Sequence, residues 1–175
     1  LDEESGHGDG FLPSICEEWE AAAAPARDSG VRTVFLRSGI VLSGTGGALG
    51  KMLLPFKMGA GGPMAGGKQW MSWISLDDEI YAIHHLLMNG GSKGVYNLTA
   101  PNPSRQKGFA KTLGRVLGRP AFAPLPGFVV RILFGEMGVK LTLESQRVLP
   151  NRLLEEGFEF LHPDLEGALT DTLGA

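Results

Sequence analysis

The chain has 175 residues, 43% of them apolar and 20% charged, with a formal net charge of -3. That is enough chain for one hydrophobic core of ordinary globular composition, and the weak negative balance gives no electrostatic case for nucleic acid or an anionic membrane. No run approaches the roughly 18 uninterrupted apolar residues of a membrane-spanning helix, no signal segment opens the sequence, and the one cysteine, Cys16, has no internal partner, which fits a reducing, cytoplasmic setting.

In chain order, acids and glycines make residues 2–10 an exposed loop. Residues 11–27 read as a helix with Phe11, Ile15, Trp19 and Ala22 along one face and Cys16 as a small buried hydrophobe. Residues 31–43 read as a strand, in which Val34, Phe35 and Leu36 form the continuous apolar run of a parallel strand buried on both faces. A helix follows at 48–57, then a glycine-rich loop and a short extended segment at 69–75. Residues 76–89 form a helix whose first turn carries Asp77, Asp78 and Glu79, the charge sign a helix N-terminus favours. A second strand runs from Val95 to Thr99, closed by the turn Ala100-Pro101-Asn102-Pro103, and helices are predicted at 104–117, 127–135, 142–155 and 163–173. Strand alternating with helix makes the fold class α/β. Two long strands do not make an independent sheet, so this piece is expected to rest against something else.

The chain holds 26 glycines, about twice the ordinary share, clustered between residues 44 and 67. The run Gly44-Thr45-Gly46-Gly47-Ala48-Leu49-Gly50 follows a strand and precedes a helix, as a phosphate cradle does. A dinucleotide fingerprint also expects an acid about 20 residues on, and residues 60–76 contain none. The run therefore has two readings, a phosphate cradle or a turning, substrate-side loop. His84 and His85 are adjacent on a helix and point about 100° apart, so they make no metal pair, and no metal site is expected. Asp77 and Asp78 suit helix capping, with Ser75 as a second cap, better than paired acid/base work.

The most informative run is Gly67-Lys68-Gln69-Trp70-Met71-Ser72-Trp73-Ile74-Ser75-Leu76-Asp77-Asp78. Together with Leu36-Arg37-Ser38-Gly39-Ile40-Val41-Leu42, Met52-Leu53-Leu54-Pro55-Phe56, Ala100-Pro101-Asn102-Pro103, Gly118-Arg119-Pro120, Gln146-Arg147-Val148-Leu149-Pro150 and Gly157-Phe158, it resembles the epimerase-family branch of the extended short-chain dehydrogenases/reductases. The blocks stand in that family's order from about residue 11 to the end, including a carboxyl-terminal domain of unknown function typical of the branch. The resemblance implies a Rossmann-like α/β fold. Residues 1–43 would be the last part of the Rossmann-like lobe, and residues 44–175 a mostly helical substrate-binding lobe with a further core strand.

The resemblance also implies that a glycine-rich cofactor fingerprint and a catalytic tyrosine lie upstream of Leu1, so the chain looks like a carboxyl-terminal part. Neither Tyr81 nor Tyr96 is followed four residues later by lysine, and no catalytic residue is expected within the chain. The complete protein would bind NAD(P) and act on a small-molecule carbonyl or alcohol, while this chain alone would bind the cofactor weakly or not at all. By family position, Arg37, Ser38, Gly39 and Ile40 would lie near the nicotinamide, and Gln69, Trp70 and Met71 near the substrate. In related nucleotide-sugar enzymes an arginine at the Met71 position holds the substrate diphosphate. A thioether makes no charge-assisted bond to phosphate, so a nucleotide sugar is not the expected substrate. The partners implied are the N-terminal Rossmann lobe and a second copy in a homo-dimer, with no nucleic acid and no membrane. The alternative is a non-catalytic binding or assembly module.

Overall fold

The computed structural model describes residues 1–6, 8–124 and 145–174. In chain order the elements are α1 (Phe11–Ala22), α2 (Ala24–Asp28), β1 (Val34–Ser38), β2 (Ile40–Leu42), α3 (Gly47–Lys57), β3 (Trp70–Met71), β4 (Trp73–Ser75), α4 (Leu76–Met88), β5 (Gly94–Leu98), β6 (Ser104–Arg105), α5 (Gln106–Val116), α6 (Asn151–Glu155) and α7 (Leu165–Leu173). The predicted helix 127–135 lies outside the described residues.

The predicted strand 31–43 is two strands that change neighbour at Gly39. β1 pairs in parallel with β5, Arg37 opposite Asn97 and Ser38 opposite Leu98. β2 pairs in parallel with β4, Ile40 opposite Trp73. Between them the Gly39 N–H reaches the Leu98 carbonyl at 2.9 Å and the Ile40 N–H reaches the Ser72 carbonyl at 2.8 Å. A Cβ on residue 39 would lie 2.8 Å from the Ser72 oxygen and 2.9 Å from Thr99 Cγ2, so only glycine lets the backbones approach this closely. The parallel pairing carries the strand layer past residue 43 to Leu98. A short antiparallel pair, β3 with β6, sets Trp70 opposite Arg105. These features make the fold α/β, with few parallel strands flanked by helices.

One apolar cluster packs Leu42, Phe56, Met71 and Trp73 against Phe109, Leu113 and Leu169, joining α3, α5 and α7 to the strands. A second packs Ile74, Ala82 and Leu86 against Tyr96, Leu98, Leu153 and Phe158. α4 starts where the capping reading puts it. The Asp78 N–H donates to Ser75 Oγ at 3.0 Å, and Ser75 Oγ returns its proton to Asp78 Oδ2 at 2.8 Å. The fully buried Asp78 carboxylate also accepts the Leu161 N–H at 2.7 Å and the His162 N–H at 3.1 Å. One side chain therefore fixes both the start of α4 and the loop leading to α7.

Four expectations are corrected. β1 is half-buried, with Leu36 at 43% exposure, because among the described residues it has a strand neighbour on one edge only. The helix expected over 11–27 breaks at Ala23, just before Pro25. α1 buries none of its residues, and Cys16 is exposed. Of the helix expected over 142–155, residues 142–144 lie outside the described residues, residues 145–150 run without helix up to Pro150, and Asn151–Glu155 is helical. Among the described residues no helix is long and apolar enough to cross a membrane.

Candidate functional site

A cleft of about 360 Å³ opens at the carboxyl end of β1. One wall is the turn from β1 into β2, Arg37 to Ile40, and the facing wall is Trp70, Met71 and Ser72. Asn97 and Thr99, at the end of β5, lie beside them, and the rim comes from the 1–6 and 146–148 segments. These residues meet because the carboxyl ends of the parallel pair β1 and β5 lie beside the amino end of β4, where Ile40 stands opposite Trp73 just after Ser72.

Six of the seven residues singled out from the sequence meet in this cleft: Arg37, Ser38, Gly39, Ile40, Trp70 and Met71. Gln69 does not line it. The Gln69 side chain is turned inward, 7% exposed, and its Nε2 donates to the Met64 carbonyl at 3.1 Å. Gln69 precedes β3, and its side chain folds back on the loop five residues before it.

The Arg37 guanidinium grips the Glu20 carboxylate through two parallel bonds, Nε to Oε1 at 2.7 Å and Nη2 to Oε2 at 2.9 Å. This hydrogen-bonded pairing raises the arginine above its ordinary value, so Arg37 ties β1 to α1. Met71 is 5% exposed and belongs to the main core while also facing the cleft. The Trp70 ring is covered by two guanidiniums, Arg105 with Cζ 4.1 Å and Arg147 with Cζ 5.1 Å from its centroid. Trp73, fully buried, donates its indole N–H to the Asn102 carbonyl at 3.2 Å, a core role.

Sequence reasoning missed four residues. Ser72 clamps the 145–150 segment, its hydroxyl donating to the Gln146 carbonyl and accepting the Val148 N–H, both at 2.8 Å. Asn97 donates to the Leu149 carbonyl at 3.1 Å, and Thr99 reaches the Val148 carbonyl at 3.5 Å. A signal for these two was present: they are polar at positions i and i+2 on one face of an otherwise apolar strand. The fourth is Glu79, read from sequence as one of three acids in the first turn of a helix. It is 9% exposed, and Ser38 Oγ donates to its Oε1 at 2.5 Å. Burial pushes the Glu79 carboxyl above its ordinary value, with the Ser38 hydrogen bond opposing the shift.

The glycine turn at 44–47 is not part of this cleft. It borders a separate cavity of about 230 Å³ lined by Ser43, Thr45, Asp77 and Asp171. There Asp77, His162 and Asp171 hold one potential ligand atom each within 4.8 Å of one another. Both carboxylates are exposed, and His162 Nε2 already faces Asp171 Oδ2 at 3.6 Å. That contact between neighbouring side chains accounts for the grouping.

A family model described as a domain of unknown function, DUF1731, matches residues 125–172. The chain is 45% identical over 169 residues to the chloroplastic epimerase family protein SDR39U1 homolog of Arabidopsis thaliana, covering 97% of this chain and 48% of that protein. It superposes on the crystal structure of human epimerase family protein SDR39U1 (isoform 2) with NADPH at a TM-score of 0.91 and 41% identity, covering 99% of this chain and 59% of that one. It also matches the nucleoside-diphosphate sugar epimerase of Corynebacterium glutamicum at a TM-score of 0.79 and 33% identity, covering 99% of this chain and 33% of that one. The chain thus spans about half to three-fifths of the length of its SDR39U1 relatives.

Proposed function

We infer that this chain, which belongs to the epimerase-family branch of the extended short-chain dehydrogenases/reductases, is the carboxyl-terminal, substrate-facing part of a longer NAD(P)-dependent oxidoreductase or epimerase acting on a small carbonyl or alcohol. The observation that carries this reading is the cleft itself, where the carboxyl end of β1 faces Trp70 and Met71. Ligands of open α/β sheets sit outside the carboxyl ends of parallel strands.

The residues fit the nicotinamide end of a dinucleotide. Ser38 and Asn97 offer polar groups, while Ile40 and Met71 offer apolar wall, and Gly39 leaves no side chain between them. When bound, the nicotinamide supplies or takes up hydride. The residues do not fit the pyrophosphate. The glycine turn at 44–47 shares its cavity with Asp77 and Asp171, carboxylates that repel phosphate. The cradle for the pyrophosphate belongs to the rest of the longer protein.

Substrate choice follows from the second wall. Met71 gives a phosphate no charge-assisted bond, and Arg37 in the opposite wall is gripped by Glu20. A small, uncharged substrate suits that wall better than a nucleotide sugar. In this reading residues 1–43 complete a Rossmann-like lobe, and residues 44–175 form the substrate lobe while returning β4 and β5 to the strand layer. The remainder of the protein packs on the open edge of β1 and on the apolar stripe Leu76, Ile80, Ile83 and Leu87 that α4 leaves exposed.

Titrating NADPH and NADH by fluorescence into the complete protein and into this chain tests the reading. Binding is expected for the complete protein and little or none for the chain alone. Low-micromolar binding by the chain alone would overturn it and return the glycine turn at 44–47 as the cradle, and a complete protein that binds neither nucleotide would favour a non-catalytic module.

A further inference from the structure

Glu79 poses a problem that the fold does not solve. Its carboxyl group is drawn out of water at the first turn of α4, yet only Oε1 has a partner, the Ser38 hydroxyl at 2.5 Å. Among the described residues, Oε2 is buried with no hydrogen-bond partner at all. An ionised carboxylate with one orphaned oxygen is costly, and the neutral acid, which needs fewer acceptor contacts, is the form such a site favours. Among the described residues no charged side chain offsets this. Asp78, next in the chain, gives its carboxylate to Ser75, Leu161 and His162, and Arg37, beside Ser38 on β1, is gripped by Glu20. The influences on Glu79 are burial and the Ser38 hydroxyl.

Ser38 is the other half of the arrangement. It lines the cleft, it is exposed, and a hydroxyl both donates and accepts. With Glu79 ionised, the Ser38 proton points at Glu79 and the cleft sees only an acceptor. With Glu79 protonated, the carboxyl proton can point at Ser38 Oγ and the Ser38 proton is released toward the cleft. The protonation state of a buried acid therefore sets whether the cleft wall receives or gives a hydrogen bond. Within the chain Tyr96 donates to Glu156 and Tyr81 lies exposed on α4, so a route through Ser38 stands in place of the upstream tyrosine that the family resemblance implies.

We propose that Ser38 and Glu79 form a two-residue proton relay opening into the cleft, with Ser38 as the catalytic residue that meets the substrate oxygen and Glu79 as the positioning residue that holds the proton behind it. The proposal rests on the oxidoreductase reading above. In the reducing direction the Ser38 hydroxyl proton passes to the carbonyl oxygen as its carbon receives hydride, forming the product O–H. The Glu79 carboxyl proton then replaces it on Ser38 Oγ, leaving Glu79 as carboxylate. Oxidation of an alcohol runs the same transfers backwards and leaves Glu79 protonated.

The first test needs no cofactor and uses this chain: carbon-13 NMR titration of the Glu79 carboxyl. Its midpoint is expected above the ordinary glutamate range, and Ser38→Ala should move it further up, because the hydroxyl is the one group favouring the charged form. An ordinary midpoint that ignores Ser38→Ala would overturn the relay. The second test uses the complete protein with NADPH and 9,10-phenanthrenequinone as the carbonyl probe. Turnover is expected to fall as pH rises through the Glu79 midpoint. Glu79→Gln should remove that limb and lower kcat on the order of 10²-fold, with NADPH affinity within about twofold. Glu79→Asp should restore part of the limb. Unchanged kcat and pH profile in Glu79→Gln, or a wild type that binds NADPH yet leaves the quinone unreduced, would sink the relay while sparing the cofactor reading. Failure to bind NADPH would sink that reading instead, and the NMR arm would still decide whether Ser38 and Glu79 are coupled.

Discussion

Asp78→Ala is the perturbation whose cost is most directly worked from the structure. The carboxylate accepts the Leu161 and His162 N–H groups and the Ser75 hydroxyl. Removing it leaves two backbone donors and one side-chain donor without a partner. An orphaned buried donor costs about 1–3 kcal/mol, but the 161–162 loop lies near the surface, Leu161 being 58% exposed, and can open to water. Counting about 1 kcal/mol for each of the two N–H groups and about 1 kcal/mol for the loosened cap gives a loss of about 3 kcal/mol. Asp78→Asn keeps one acceptor oxygen and should lose about 2 kcal/mol. Urea unfolding, followed by tryptophan fluorescence, measures both. Amide hydrogen exchange should rise at Leu161 and His162 ahead of the rest of the chain. If Asp78→Ala shifts the unfolding midpoint by less than the equivalent of about 0.5 kcal/mol, or if exchange at those two amides is unchanged, the claim that Asp78 pins the loop is wrong.

Three further variants probe the walls of the site and the second core. Gly39→Ala places a Cβ 2.8 Å from the Ser72 carbonyl, so it should cost about 1–3 kcal/mol in a denaturant titration and weaken protection of the Ile40 amide; a variant as stable as the parent would show that the strand junction yields freely. Met71→Arg buries a charge at a position 5% exposed in the main core; a drop of about 3 kcal/mol or more is expected by calorimetry, and an unaltered melt would place the side chain in the cleft rather than the core. For Glu156, burial works to raise the carboxyl, but hydrogen bonds from Ser92, Tyr96 and Asn89 and the charge of His85 hold it below its ordinary value of 4.5. A lowered folded-state value gives stability that is present above the unfolded carboxylate value and lost as pH falls through the folded one. Glu156→Gln should therefore lower stability at neutral pH and flatten its acid dependence, which urea midpoints measured along a pH series would reveal.

Much of the fold was legible because its signals are local. The 3.6-residue spacing and the Ser75-to-Asp78 cap place α4 to within a residue, and apolar residues with β-branching mark β1 and β5. What escaped was decided by other parts of the molecule. Nothing in residues 31–43 says that hydrogen bonding passes from Leu98 to Ser72 at Gly39, because that depends on where β4 lies. The burial of Val34 to Leu36 was overread for the same reason, since β1 has one strand neighbour among the described residues. At the site, the strand-end residues Ser38 to Ile40 and the pair Trp70 and Met71 converge, while Gln69 turns inward to the Met64 carbonyl, a loop contact that strand alternation does not foresee. Glu79 was read as one of three acids at a helix start, yet it alone turns toward Ser38. Composition marks all three alike, and only packing separates them.

The central claim is that the carboxyl end of β1 faces the nicotinamide in the complete protein. Amide NMR mapping of that protein with and without saturating NADPH tests it most directly. The account predicts shifts concentrated at Ser38, Gly39 and Ile40, with smaller ones across the cleft at Met71 and Ser72. Saturable NADPH binding that leaves those five amides unmoved would contradict it.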